Sequence, residues 1–75
     1  MPAAHVEFFG GPLDGTQATL PEQSRRYSCF EQGESHGMLV RHNYHLRTVL
    51  DGIPVKLPGG RFAMDYKGVT TETKN

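Results

Sequence analysis

Tryptophan is absent from these 75 residues and cysteine occurs once. A single thiol, Cys29, excludes an internal disulfide framework of the kind that staples small secreted domains. An excess of one charge is also missing: eight Lys and Arg balance eight Asp and Glu, for a formal net charge of zero. That balance argues against an acidic nucleic-acid mimic and against non-specific DNA binding. Long apolar runs are lacking too. Stretches such as Met38–Val40 and Phe8–Phe9 fall far below the roughly 20 residues that span a bilayer. The opening residues Met1 to His5 carry neither the basic head nor the apolar stretch of a signal peptide. The expectation is a cytoplasmic chain without membrane contact. With 36% hydrophobic residues it makes one small domain, placed at residues 1–69, with 70–75 as a polar tail expected to fray.

What the chain does have is turn chemistry. Nine glycines and five prolines cluster at Gly10-Gly11-Pro12, Asp14-Gly15, Asp51-Gly52 and Pro58-Gly59-Gly60. Short segments between such clusters are the linear signature of a β-protein. Alternation supports this. From Met38 to Leu50 the even positions are Met38, Val40, His42, Tyr44, Leu46, Thr48 and Leu50, while Arg41, Asn43, His45 and Arg47 take odd ones. A period of two with one apolar face is a strand. Phe62, Met64 and Tyr66 alternate in the same way, as do Ala4, Val6 and Phe8. Thr16–Leu20 and Tyr27–Glu31 are weaker strands, and residues 21–26 form a loop or one helical turn. The expected fold is all-β: a small antiparallel sheet or partly closed barrel of five or six strands, with at most one short helix.

The Asp51-Gly52 pair suits a two-residue type I′ hairpin, because both central residues need positive φ. That turn pairs Leu50 with Ile53, Thr48 with Val55 and Leu46 with Leu57 on one face. Pro54 then suits a sheet edge at Ile53–Leu57, and edge pairing makes a homo-oligomer the expected assembly. On the opposite face the same register sets Arg47 against Lys56, alongside Arg41 and His45. Residues 1–37 hold two basic and five acidic groups (−3), and residues 38–75 six basic and three acidic (+3). A cationic stripe therefore emerges from a neutral chain. It reads either as an anion-binding surface or as a solvated face neutralised by Glu31, Glu34 or Asp65.

Gly10-Gly11-Pro12-Leu13-Asp14-Gly15 is the most individual segment. It is neither a Walker A loop nor a dinucleotide-binding fingerprint, since the flanking residues those need are absent. Its backbone N–H groups can form an anion nest. Alternatively it is a rigid connector in which Leu13 plugs the core and Asp14 bonds backbone N–H groups. No metal site is expected: on a strand His42 and His45 point to opposite faces, and Cys29 and His36 lack a Cys-x-x-Cys partner. His42 reads better as a hydrogen-bonded interior group. No catalytic residues and no cofactor are expected, because Cys29 has no elbow and no orienting third group.

The run Phe8-Phe9-Gly10-Gly11-Pro12-Leu13-Asp14-Gly15, with Arg61-Phe62-Ala63-Met64-Asp65-Tyr66-Lys67-Gly68 near the other end, resembles a group of short phage- and prophage-encoded proteins. These carry a Gly-Gly-Pro-Leu-Asp-Gly signature after a first strand and an aromatic final strand. The resemblance implies phage origin and carries no catalytic residues. The resulting expectation is a non-enzymatic accessory protein, acting in the host cytoplasm against a defence system by sequestering an anionic nucleotide-like molecule. Arg41, His45, Arg47 and Lys56 would hold phosphates, Tyr44 or Tyr66 would stack on a base, and Gly10 and Gly11 would close over the ligand. Two other classes fit the same residues: a protein that binds and inhibits a host enzyme or CRISPR effector, and a minor virion or assembly protein.

Overall fold

The computed structural model of the chain describes residues 3–22, 24–34 and 37–73, with Glu72 and Thr73 by backbone alone. It is all-β: five strands curled into a half-barrel, with two isolated 3-10 turns. In chain order these are β1 (Ala3–Phe9), β2 (Gln17–Pro21), β3 (Arg26–Gln32), β4 (Met38–Leu46) and β5 (Phe62–Thr73). No helix among the described residues is long and apolar enough to cross a membrane.

Burial alternates most clearly along β1 and β2. Val6 and Phe8 are buried on β1 and Tyr44 on β4, and polar neighbours stand between them. β1–β2 and β3–β4 are antiparallel hairpins. β5 lies between them, in the order β2-β1-β5-β4-β3. It runs antiparallel to β4 but parallel to β1, with Val6 opposite Phe62 and Phe9 opposite Asp65. The sheet is therefore mixed, not wholly antiparallel. The strand that joins the hairpins can oppose only one of its two neighbours in this arrangement. β5 also continues through residues 70–73, pairing Thr73 with Met38, so most of the expected tail is strand. A bulge absorbs Lys67 between the pairs Asn43–Gly68 and Tyr44–Tyr66.

The inner face carries the core. Val6, Phe8, Tyr44 and Met64 are buried, with Leu13, Ala18, Leu20, Tyr27, Cys29, Leu46, Phe62 and Tyr66 packed around them. Burying each large apolar side chain contributes roughly 1.5–3 kcal/mol. Phe8 meets Tyr44 edge-on at 4.9 Å and Tyr27 at 5.1 Å.

The Asp51 hairpin departs from expectation. Asp51 and Gly52 do take positive φ, at 68° and 73°. The loop nevertheless contains three residues, because Val49 N–H donates to Ile53 O and Thr48 bridges Pro54. This is a one-residue slip, and it moves every side chain of the returning arm to the other face. Arg47 consequently sits across from Val55, whose N–H donates to Arg47 O. The Ile53–Leu57 segment is no edge strand, making only the isolated bridges Thr48–Pro54 and Lys56–Phe62. The sheet edges are β2 and β3.

Candidate binding cleft

One end of the inner face is closed by the glycine-rich loop. Pro12 starts a 3-10 turn over Gly11–Leu13, and Leu13 packs on the core. The Tyr44 hydroxyl pins this turn: Leu13 N–H donates to it at 2.9 Å, and it donates to Gly10 O at 2.7 Å. Burial pushes the pKa of that hydroxyl up, against the opposing effect of the Leu13 N–H. Gly10 N–H donates to Asp14 Oδ1 at 2.7 Å, Asp14 N–H to Gly11 O and Gly15 N–H to Phe8 O. Gly11 lies against the rings beneath it; a Cβ there would stand 2.5 Å from Tyr66 Cδ1 and 2.6 Å from the Tyr44 hydroxyl. The connector reading holds, with Leu13 and Asp14 in the expected roles. The nest reading does not, since Gly10, Leu13, Asp14 and Gly15 spend their N–H groups inside the fold and Pro12 has none.

The expected cation set does not assemble into one surface. Arg41 and His45 stand on the outer face of β4 and Arg47 just past its end, but Tyr44 is fully buried on the inner face and has no surface to offer a base. Gly10 and Gly11 lie over Tyr66 and Tyr44 on that inner side. Arg47 forms a two-pronged bond to Asp65 (2.9 and 2.6 Å) and lies 4.9 Å from the centre of the Phe9 ring. Its hydrogen bonds hold the Asp65 carboxyl below its ordinary pKa despite partial burial, with help from the Arg47 and Lys67 charges. Arg41 lies over Phe30 at 5.7 Å. Lys56, expected opposite Arg47, instead bridges Phe62 and holds its ammonium 5.8 Å from that ring. Arg61 is paired with Glu7 at 3.0 Å.

His42 is the interior group expected. Its side chain is 12% exposed, with Nε2 2.6 Å from Glu31 Oε1 and Nδ1 2.9 Å from the Tyr66 hydroxyl. In the neutral ring, Nε2–H donates to the carboxylate and Nδ1 accepts from Tyr66. Cys29 is the cross-strand partner of His42, yet both ring nitrogens are engaged elsewhere. Among the described residues no three His, Cys, Asp or Glu converge on a common point; His36 lies outside them.

The other end of the inner face is open. There the start of β1 (Ala4, Val6), the end of β4 (Leu46) and the start of β5 (Phe62) form the floor of a cleft of about 540 Å³. Glu22, Ser24 and Arg25 from the β2–β3 connection and Pro54 from the returning hairpin arm form its rim. The volume lies within the range of small-molecule sites, and an apolar floor with a few polar groups at the rim is their usual composition. Phe62 offers a ring from the floor, Arg25 a guanidinium and Glu22 a carboxylate. None of the expected site residues lines this cleft.

Arg25, Glu22, Ser24 and Phe62 were not among the expected ligand-binding residues. The available signal was Pro21-Glu22-Gln23-Ser24-Arg25-Arg26, a polar loop with two adjacent cations between strands. Its position over the cleft depends on β5 lying beside both β1 and β4. Compared with protein-family models, curated proteins and solved structures, the chain shows no significant match.

Proposed function

We propose that the chain is a non-enzymatic binding protein that sequesters an anionic, nucleotide-like small molecule in the open cleft. The observation that carries this reading is the pairing of an aromatic and aliphatic floor (Val6, Leu46, Phe62) with Arg25 on the rim. A flat heterocycle rests on the floor, its phosphate meets Arg25, and Glu22 accepts hydrogen bonds from sugar hydroxyls. This moves the ligand from the strand face of Arg41, His45 and Arg47 to the mouth of the half-barrel. The motif resemblance supports a setting in a phage-infected cell, where removing a signalling nucleotide from the host cytoplasm would act against a defence system.

The test is a thermal-shift and calorimetric titration against mononucleotides, cyclic dinucleotides and ADP-ribose derivatives. A ligand at one hundred times its Kd raises stability by about 2.7 kcal/mol. Arg25→Ala is expected to remove most of the shift while leaving the far-ultraviolet spectrum unchanged. Absence of any shift at millimolar ligand overturns the reading.

A second reading, a protein-binding inhibitor or assembly component, is favoured by the hairpin tip. Val49, Leu50 and Ile53 are 56%, 88% and 57% exposed within one five-residue stretch, a concentration of apolar surface that marks contact sites. Under that reading, Leu50→Asp abolishes recovery of one host or virion protein and nucleotides have no effect.

A further inference from the structure

The two edges of the sheet differ. β2 is five residues long and ends in Pro21, two devices that discourage strand addition. β3 is seven residues long, without Pro, Lys or a bulge, and at its outer side Phe30 is 56% exposed. Leu46 N–H donates to Arg25 O, and Gly33 N–H donates to Met38 O. Odd-numbered residues of β3 therefore bond to β4, by the alternation of an antiparallel ladder. Arg26, Ser28, Phe30 and Gln32 direct their backbone N–H and C=O groups outward.

Charge along this edge is polarised. Arg25 and Arg26 stand at its start, Glu31 and Glu34 at and just beyond its end, and all four are exposed. Antiparallel association of two copies sets the cationic end of each beside the anionic end of the other, twice, whereas parallel association opposes like charges. We propose that β3 is a self-complementary docking edge, and that two chains pair β3 to β3 antiparallel into a continuous ten-stranded sheet.

Pairing all seven residues fixes the register. Arg26 lies opposite Gln32 of the second copy, Ser28 opposite Phe30, and the two-fold axis passes through Cys29. The outward-directed even residues then make the hydrogen-bonded pairs, and Cys29 faces its own copy at a non-hydrogen-bonded pair. Cα atoms at such a position are about 4.5 Å apart, within reach of a disulfide. The second edge, β2, is blunted, so the association closes at two chains. The proposal shares Arg25 with the cleft reading but is tested through Arg26 and Cys29, so the failure of either reading leaves the other standing.

Sedimentation equilibrium is expected to give twice the 8.3 kDa of one chain at tens of micromolar. Arg26→Glu is expected to give monomers with an unchanged circular dichroism spectrum, and Arg26→Glu with Glu34→Arg in the same chain is expected to restore the dimer. Copper-catalysed air oxidation, with dioxygen taking the two electrons from a pair of thiols, should yield a covalent dimer that Cys29→Ser abolishes. A monomeric wild type at hundreds of micromolar overturns the proposal. So does a dimer indifferent to Arg26→Glu, or one that does not cross-link through Cys29.

Discussion

The chain turns twice on an Asp-Gly pair, and the two turns have opposite fates. Asp14-Gly15 closes a loop that is held from all sides: Asp14 caps Gly10 N–H, Leu13 enters the core, and the Tyr44 hydroxyl bonds two of the loop's backbone groups. Asp51-Gly52 closes a loop that carries Val49, Leu50 and Ile53 into solvent. Both turns place glycine at positive φ, +81° in one and +73° in the other, but Asp14 is extended at φ −49° whereas Asp51 is itself left-handed at φ +68°. What ties only the first into the core is the buried phenol beneath it. Turn residues decide where a chain reverses; a side chain 31 positions away decides whether the reversal becomes part of the core.

Substitutions at the two turns can break this contrast. Gly11→Ala should have the largest effect, about 3 kcal/mol, combining left-handed strain with overlap onto Tyr66 and the Tyr44 hydroxyl; urea denaturation measures it. Tyr44→Phe keeps the ring and leaves Leu13 N–H and Gly10 C=O without their partner, a loss of about 2 kcal/mol by the same assay. Hydrogen exchange at Leu13 should accelerate in that variant. Gly15→Ala and Gly52→Ala have open space around the added Cβ, so both should cost only the backbone strain, about 1 kcal/mol. Equal losses at Gly11 and Gly52 would erase the distinction. Leu50→Ser at the exposed tip should change stability by under about 0.5 kcal/mol.

The Arg47–Asp65 pair sharpens the comparison with a pH readout on the outer face. The folded-state pKa of Asp65 is lowered, so its contribution is present above the unfolded value of about 3.9 and is lost as pH falls through the folded one. The Arg47 side chain is 39% exposed, and solvent screening limits the pair to about 1 kcal/mol. Asp65→Asn should lower stability at pH 7 by about that amount and flatten the acid limb below pH 4, measured by denaturation at several pH values.

Local pattern carried the strands. Alternation at Ala4, Val6 and Phe8 and at Phe62, Met64 and Tyr66 is a property of neighbouring residues, and a buried sheet face enforces it. The role of Leu13 and Asp14 was readable because turn chemistry is equally local. Partner choice was not readable in the same way. Nothing in Phe62–Thr73 encodes that its neighbours are β1 in parallel and β4 in antiparallel orientation, and that arrangement alone brings Ala4, Arg25, Leu46 and Phe62 to one cleft. The cation set failed at one residue of register. A three-residue loop in place of two turned Lys56 away from Arg47, and Asp65, 18 positions on, took the guanidinium. Tyr44 was correctly placed on the inward face, but its burial there excludes the stacking role.

The placement of β5 has a consequence for how the molecule comes into being. Both hairpins lie upstream of it, and β1 meets it across a separation as wide as that between Val6 and Phe62. During synthesis neither hairpin has its permanent neighbour until β5 leaves the ribosome, so commitment to the native state waits for that strand, and these long-range pairings should make folding slow. It also makes β5 a natural fragment to supply in trans, a peptide whose addition to the remainder would switch the protein on.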